Sequence, residues 1–270
     1  MNILDVILET KRKEVAQFRQ TASLDELKAR CADAQPPRNF FSAVTKMPAR
    51  MINLIAEVKK ASPSAGVIRA DFDPVQIARQ YHAAGADALS VLTDEHYFQG
   101  HLDYIAAVKA AVPLPVLRKD FIIDPHQVYQ SRLAGADAIL LIAAALPIGH
   151  LADLLILATE LRMTTLVEVH QADELMQIRS LIGFPHSAYG LLGINNRDLT
   201  TFHVDVNTTL RLAELAENVP LVSESGIRTH DDIRRLAHAG VRAVLVGETL
   251  MRSGDVTREV EALLGPIRQK

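Results

Sequence analysis

Three short segments are near copies of one another, and they constrain the fold more than any other feature of the sequence. They read AAGADAL at 83–89, LAGADAI at 133–139 and HAGVRAV at 238–244. In each, a helical stretch ends at a glycine, whose tolerance of positive φ suits the position just past a helix C-terminus. The apolar residues that follow start a buried strand. The repetition indicates successive βα units.

Short β-rich runs alternate with amphipathic stretches along most of the chain. Eight runs are predicted to be strands: 52–58, 88–92, 115–121, 138–141, 165–169, 191–194, 221–223 and 243–246. Helices are predicted between them, among others at 74–84, 125–134, 151–161, 172–182 and 230–239. This alternation favours an α/β fold, a (β/α)8 TIM barrel, over an open doubly wound sheet. Neither G-x-G-x-x-G after the first strand nor G-x-x-x-x-G-K-[ST] occurs, so the open sheet lacks its nucleotide-binding signatures.

The first part of the chain is predicted to be a helical extension of the barrel. Apolar residues recur there at near-helical spacing, namely Leu4, Ile7, Leu8, Val15 and Phe18. A second helix is expected after Ser23, because Glu26 completes a capping-box pattern. We expect residues 1–48 to pack on a catalytic barrel of residues 49–270, with one structural domain overall.

Charge and composition argue against several classes of partner. A net charge of -3 gives no excess of positive charge for nucleic acid or an anionic membrane surface. No stretch has about 18 uninterrupted apolar residues, and the N-terminus lacks the charged-then-apolar order of a secretory signal. Cys31 is the only cysteine, so no intrachain disulfide can form. We expect a cytoplasmic protein with no nucleic-acid and no membrane partner.

Charged residues collect late in the predicted strands, at the end where barrel enzymes have their active sites. The strands that read LIAEVKK, VLRKDF, LVEVH, LLGINNRD and LVSESG all turn polar toward their C-terminal ends. A single Lys or Glu in such a place is usually a solvated charge or half of an ion pair. Charges on buried strands have a desolvation cost, so five strands that turn polar at the same end favour an active site there.

Side-chain alternation places several of these groups on common strand faces. Glu57 shares a face with Lys59, Lys119 with Phe121, and Glu168 with Leu166 and His170 on its own strand. If these faces point inward, ammonium groups and carboxylates converge at the barrel mouth and can move protons. Composition and spacing alone indicate a barrel enzyme that acts on a small anionic molecule.

A phosphate site is predicted after the seventh and eighth strands, in SESGI at 223–227 and LVGET at 245–249. Backbone N–H groups from these two loops and a short helix form the usual phosphate pocket of such barrels. The phosphate-binding residues are predicted to be Ser225, Gly226, Gly247 and the backbone N–H of Glu248. The alternative is that the two glycines only make tight βα turns.

Six longer motifs are specific enough to point to one family. They read IAEVKKASPSAG at 55–66, LTDEHYFQG at 92–100, VLRKDFIID at 116–124, LVEVH at 166–170, GINNRDL at 193–199 and VSESGI at 222–227. With them the chain resembles the indole-3-glycerol-phosphate synthases of tryptophan biosynthesis, from the N-terminal helical segment to the last helix. The resemblance implies a carboxy-lyase that converts 1-(2-carboxyphenylamino)-1-deoxyribulose 5-phosphate to indole-3-glycerol phosphate, carbon dioxide and water. It implies no metal and no organic cofactor.

The resemblance also implies roles for the charged residues of the barrel mouth. Lys119 and Lys59 are expected to donate protons, Glu168 to be the base, and Glu57 to orient and tune the lysines. The polar wall is completed by Asn195, Arg197, Glu224 and Ser225. Lys119 is assigned to the carbonyl oxygen, where ring closure builds negative charge that an ammonium can stabilise and protonate. The order in which the two lysines act stays open.

The substrate implied by the resemblance has an anion at each end and an aromatic ring. Arg197 and Lys59 are expected to help hold the anions, and Ser62 to contact the substrate. The apolar slot for the ring is assigned to Phe98, Phe121, Leu140, Leu166 and Leu199. Glu248 departs from the family pattern, in which Ser or Ala is frequent at this position. Repulsion of the phosphate is avoided if only its backbone N–H faces the ligand and its side chain turns to solvent.

Several alternatives remain at this point. An isomerase of phosphoribosylanthranilate would call for a cysteine or aspartate acid–base pair, and Cys31 lies outside the predicted strands. A Schiff-base aldolase would use an inward lysine, and an inactive barrel would only bind a sugar phosphate. In the family the N-terminal segment shapes the substrate site, whereas a plug or an oligomer contact explains it equally well. A monomer is expected, with weak association with other tryptophan-pathway enzymes left open.

Overall fold

The computed structural model describes residues 2–198, 201–216 and 219–267, and a closed parallel barrel lies at its centre. The eight barrel strands are β1 Asn53–Val58, β2 Ala88–Leu92, β3 Val116–Lys119, β4 Ala138–Ile142, β5 Thr164–Val169, β6 Gly190–Asn195, β7 Leu221–Glu224 and β8 Ala243–Val246. Each pairs with the next along the chain, and β8 pairs with β1 to close the ring. The predicted (β/α)8 barrel is confirmed. A short antiparallel ribbon, Ala61–Ser62 with Gly66–Val67, lies in the loop after β1.

Helices surround the barrel and precede it. The α-helices are α1 Ile3–Thr21, α2 Leu24–Ala32, α3 Phe40–Thr45, α4 Pro74–Ala83, α5 Glu95–Phe98, α6 Asp103–Ala111, α7 Pro125–Leu133, α8 Ile148–Glu160, α9 Ala172–Ile178, α10 Asn207–Ala213, α11 His230–His238, α12 Glu248–Arg252 and α13 Val256–Leu264. The helix predicted at 172–182 ends early, at Ile178, and a 3₁₀ turn Arg179–Leu181 follows. Within the described ranges, no helix is both long enough and apolar enough to cross a membrane.

The three repeated segments form helix-to-strand joints, as predicted from the sequence. Gly85, Gly135 and Gly240 adopt φ of 84°, 91° and 82°, so each takes the left-handed conformation that favours glycine. The aspartate two residues after the first two of these glycines joins neighbouring strands. Asp87 accepts a hydrogen bond from the backbone N–H of Leu54 (2.9 Å), and Asp137 accepts one from Val116 (2.8 Å).

The N-terminal helices reach both ends of the barrel. At the end where the strands begin, Phe40 and Val44 of α3 insert into the apolar interior. Asn53, the first residue of β1, donates side-chain hydrogen bonds to the carbonyl oxygens of Val44 (2.9 Å) and Lys46 (3.0 Å). At the opposite end, the first two turns of α1 line the central cavity with Ile3, Leu4 and Ile7. The extension therefore plugs one end and shapes the other.

Candidate active site

The inner face of the barrel changes from apolar to charged along the strand direction. Its buried apolar layers contain Ile55, Leu117, Leu140, Leu166, Leu191, Val222 and Leu245. Two residues further along β1, β3, β5 and β7 stand Glu57, Lys119, Glu168 and Glu224. Because successive side chains of a strand point to opposite faces, these four groups follow the apolar residues into the barrel. Glu57 with Lys59, and Lys119 with Phe121, line the same cavity, as their predicted shared faces imply.

A cavity of about 570 Å³ lies at this charged end of the barrel. Its walls include the predicted site residues Glu57, Lys59, Ser62, Phe98, Lys119, Phe121, Leu140, Glu168, Asn195, Arg197, Glu224, Ser225, Gly226, Gly247 and Glu248. Leu166 lies instead in the fully buried apolar layer beneath Glu168. Leu199 lies outside the described residues.

Lys119 lies between two buried carboxylates. Its Nζ is 3.3 Å from Oε2 of Glu168 and 3.7 Å from Oε2 of Glu224. Burial by itself would lower the pKa of Lys119, but Glu168, Glu224 and Glu57 outweigh it and raise that pKa above its ordinary value. The ammonium group therefore stays charged at neutral pH. Gly193 on β6 makes room for this cluster, since a Cβ there would lie 2.5 Å from Oε1 of Glu224.

The two carboxyl groups beside Lys119 differ in protonation. Burial raises the pKa of Glu224 to about 8, and the negative charge of the nearby Glu168 contributes to the rise. Burial also acts to raise the pKa of Glu168, but Lys119 and then His170 outweigh it and hold that pKa below its usual range. At neutral pH Glu168 is ionised and Glu224 is mostly neutral. Such divergence between neighbouring groups is how proteins separate acid from base roles.

His170 supports Glu168 from behind, a role that the sequence did not reveal. Its Nε2 lies 3.3 Å from Oε1 of Glu168, and its Nδ1 lies 3.5 Å from Oε2 of Glu174 on α9. Burial would lower the pKa of His170, but these two carboxylates raise it to about 10. The imidazole therefore carries a positive charge at neutral pH, which helps to keep Glu168 ionised.

Lys59 and Glu57 form the second charged pair of the cavity. The Nζ of Lys59 lies 2.5 Å from Oε1 of Glu57. Gly247, at the end of β8, allows this placement, because a Cβ at that position would lie 2.3 Å from the same Glu57 oxygen. The glycine is thus required sterically, in addition to its predicted place in the phosphate loop.

Arg197 bridges loops across the cavity mouth. Its Nη1 donates to Ser64 Oγ (3.0 Å) and its Nη2 lies 3.7 Å from Oε2 of Glu248, whose Oε1 accepts from Arg252 Nε (3.0 Å). The Glu248 side chain is 33% exposed, so its expected turn into solvent is only partial. Two arginines flank its carboxylate instead, and they offset its negative charge beside the loop that is predicted to bind phosphate.

The loop after β7 turns at two consecutive residues in the left-handed conformation. Ser225 and Gly226 both have positive φ, 67° and 76°. A Cβ at Gly226 would lie 2.2 Å from Cγ1 of Val204, so only glycine fits there. Consecutive residues of this kind can turn backbone N–H groups toward an anion.

Two arginines on this side of the cavity were not predicted from the sequence. Arg228 and Arg252 line the cavity together with the loops after β7 and β8. Each stands within five residues of a glycine-rich motif, and that short spacing was the available signal. Within the described part of the chain, no cluster of three or more His, Cys, Asp or Glu side chains could hold a metal ion.

The fold and the cavity define a class of protein. A (β/α)8 barrel with lysines and carboxylates at the carboxyl ends of its strands, beside glycine-rich loops after β7 and β8, is an acid–base enzyme for a small phosphorylated molecule. The family model for indole-3-glycerol phosphate synthase matches residues 4–263. The chain therefore belongs to the indole-3-glycerol phosphate synthase family.

Curated relatives agree with this family, and solved structures agree with the fold. The indole-3-glycerol phosphate synthase of Rhodospirillum rubrum is 48% identical, over 98% of this chain and 99% of the relative. That of Geobacillus kaustophilus is 50% identical, over 97% of each chain. Among solved structures, a 3-hexulose-6-phosphate synthase aligns with a TM-score of 0.62 at 16% identity, over 78% of this chain and 98% of the other. A mutant tryptophan synthase α-subunit from Pyrococcus furiosus aligns with a TM-score of 0.59 at 15% identity, over 82% and 100%. At such identities these structures bear on the fold alone.

Proposed function

We propose that the cavity at the carboxyl ends of the strands carries out the reaction of the family through Lys119, Lys59 and Glu168. As a member of this family, the chain is a decarboxylating lyase of tryptophan biosynthesis. It converts 1-(2-carboxyphenylamino)-1-deoxyribulose 5-phosphate to indole-3-glycerol phosphate, carbon dioxide and water. The observation that carries the assignment is the charged Lys119 ammonium, 3.3 Å from an ionised carboxylate and 3.7 Å from a mostly neutral one.

Ring closure and decarboxylation come first. The ring carbon that bears the carboxylate attacks the ketone carbon of the sugar chain, and the carbonyl oxygen takes up the electron pair. Lys119 donates a proton to this oxygen, which becomes a hydroxyl group. The carboxylate then leaves as carbon dioxide, and its bonding electrons restore the aromatic ring. The neutral form of Glu224 assists, because an added negative charge there would make the Lys119 ammonium a weaker acid.

Dehydration completes the indole. The new hydroxyl group leaves as water with a proton from Lys59, while Glu168 removes a proton from the neighbouring ring carbon beside the nitrogen. The electrons of that C–H bond form the carbon–carbon double bond of the indole. Glu57 holds Lys59 through the 2.5 Å contact and so directs its ammonium group into the cavity. The lowered pKa of Glu168 keeps that carboxylate ionised and able to accept the proton.

The remaining cavity residues hold the two ends of the substrate and its ring. We assign the phosphate to backbone N–H groups at Ser225, Gly226, Gly247 and Glu248. The substrate carboxylate and the chain hydroxyls face Lys59, Ser62, Asn195 and Arg197. The ring packs beside Phe98 and Phe121, whose ring centroids are 6.1 Å apart, and against Leu140 below them.

The proposed reaction can be tested by following the carboxyl group of the substrate. With substrate labelled at that carbon, we expect one equivalent of labelled carbon dioxide for each substrate consumed. Label that stays in the product would contradict the proposal. Borohydride added during turnover should leave the lysines unmodified, because no Schiff base forms on this route; a trapped lysine adduct would favour an aldolase instead.

We also infer that the enzyme acts in the cytoplasm as a monomer. Lys119, Lys59 and Glu168 meet within one barrel, so the proposed chemistry needs no second chain. Cys31, the only cysteine, is buried, which fits a reducing compartment. Light scattering should give the mass of a single 29.7 kDa chain, and a dimer mass would overturn the monomer.

A further inference from the structure

Lys11 occupies a position where helical periodicity calls for an apolar residue. The buried residues of α1 are Leu4, Ile7, Leu8, Lys11 and Val15, so the lysine falls on the apolar face of the helix. Only 2% of its surface is exposed. A charged group at such depth is unfavourable unless it is paired, so its partners explain why it is there.

Three carboxylates surround the Lys11 ammonium. Its Nζ lies 2.8 Å from Oδ2 of Asp94, 3.0 Å from Oδ1 of Asp120 and 2.8 Å from Oε2 of Glu14. Asp94 and Asp120 are as deeply buried as the lysine itself. Burial would lower the pKa of Lys11, but Asp120 and Asp94 outweigh it and raise that pKa above its ordinary value. The lysine therefore joins α1 to the loops after β2 and β3 as a permanent cation.

Both aspartates also hold parts of the active-site wall. Asp94 accepts hydrogen bonds through Oδ1 from the backbone N–H groups of Tyr97 (2.7 Å) and Phe98 (3.2 Å), and so caps α5, which carries the cavity residue Phe98. Asp120 directly follows Lys119 and accepts from Thr93 Oγ1 (2.6 Å). Movement of either carboxylate would therefore displace residues of the cavity wall.

The helix itself contributes to the same cavity. Ile7 lies one turn before Lys11 and Leu4 two turns before it, and both line the cavity with Ile3. A nearby contact supports the same docking, since the hydroxyl groups of Thr10 and Tyr97 are 2.8 Å apart.

We propose that Lys11 is a positioning residue for substrate binding. Its ammonium group holds α1 against the loops after β2 and β3, so that the N-terminal turns of the helix form an apolar wall of the substrate pocket. Lys11 touches neither the cavity nor the reacting atoms, and it acts through Ile7, Leu4 and the Asp94 cap of α5. This inference rests on the proposed site.

The test compares Lys11→Met with Lys13→Met, which removes a 72% exposed lysine from the same helix. Folding is checked by circular dichroism, and turnover by indole fluorescence. We expect KM to rise about tenfold in Lys11→Met with kcat changed less than about threefold, because a wall that contacts substrate equally in the ground and transition states affects KM. Lys11→Arg, which keeps the charge, should recover most of the affinity. Lys13→Met should resemble the wild type.

A double-mutant cycle separates positioning from mere stabilisation. Ile7→Ala alone should raise KM, and adding it to Lys11→Met should raise KM little further, because the wall is already displaced. Additive effects, or a folded Lys11→Met with the KM of Lys13→Met, would overturn the proposal.

A second variant covers the case in which Lys11→Met does not fold. Asp94→Asn keeps the oxygen that caps α5 and replaces the one that contacts Lys11, so it should raise KM about threefold; an unchanged KM would then decide against the proposal. If the wild type itself forms no indole, the proposed site fails, whereas an active wild type with unaffected variants rejects only the role of Lys11.

Discussion

The two ends of the barrel are built from the same strands and differ sharply in chemistry. Where the strands begin, Phe40 and Val44 fill the interior, and the amide of Asn53 is bound to carbonyl oxygens. Where the strands end, Lys119 and Glu168 stand in the same interior, with side chains 16% and 2% exposed. Buried charges add little to stability compared with apolar packing. The difference teaches that one end was shaped for folding and the other for chemistry, so changes at each end should affect different properties.

The largest effect is expected at the charged end, from Lys119→Met. Loss of the acid should lower kcat by about 10²- to 10⁴-fold, while apolar layers below keep the barrel folded. Steady-state indole formation and thermal melting measure the two properties. Lys46→Met, at the opposite end, is the matched control and should keep normal turnover. Near-normal kcat in Lys119→Met would contradict the assignment of the charged end to chemistry.

Phe40→Ala should show the reverse pattern at the apolar end. Removing this fully buried ring leaves a cavity and should lower the free energy of unfolding by about 3–5 kcal/mol. The folded fraction should keep kcat within about twofold of the wild type. Urea unfolding measures the loss, with Met47→Ala, at an 84% exposed position nearby, as the control. A large loss of kcat with unchanged stability would contradict the assignment of this end of the barrel to folding.

The pH dependence should sharpen the picture of the charged end. The pKa of Glu224 is raised to about 8, so this group loses its proton as the pH rises through that value. The new negative charge makes the Lys119 ammonium a weaker acid, and kcat/KM should fall there. In Glu224→Gln this fall in kcat/KM should be absent, because the amide does not titrate. A fall that persists in the variant must come from another group.

The smallest effect is expected at the rim, from Glu248→Gln. The change frees Arg197 and Arg252 from the carboxylate between them, so Arg252 can turn toward the substrate phosphate and Arg197 toward the substrate carboxylate. Partly exposed ion pairs are weak, and KM should fall by only about threefold. A clear rise in KM would show that Glu248 supports the site rather than opposing it.

Strand polarity and glycine spacing were enough to predict the barrel and the strand faces that carry Lys119 and Glu168, because period-two alternation shows which residues share a face. Whether those faces point into the barrel stayed a condition until the structure was known. Other features depend on neighbours distant in the chain. Gly247 makes room for Glu57 across the β1–β8 pair, and no local pattern reveals such a contact. Helix α3 is six residues long, too short for periodicity to show. The docking of α1 at the mouth was left open, since its apolar face suits any partner.

Formation of indole by the purified protein tests the central claim most directly. The chain has no tryptophan, so fluorescence that develops on adding 1-(2-carboxyphenylamino)-1-deoxyribulose 5-phosphate reports the product without interference. We predict a steady rise in indole fluorescence with the wild type and a rise at least about 100-fold slower with Lys119→Met at the same concentration. A folded wild-type protein that produces no indole signal, or a Lys119→Met variant that matches it, would contradict the account.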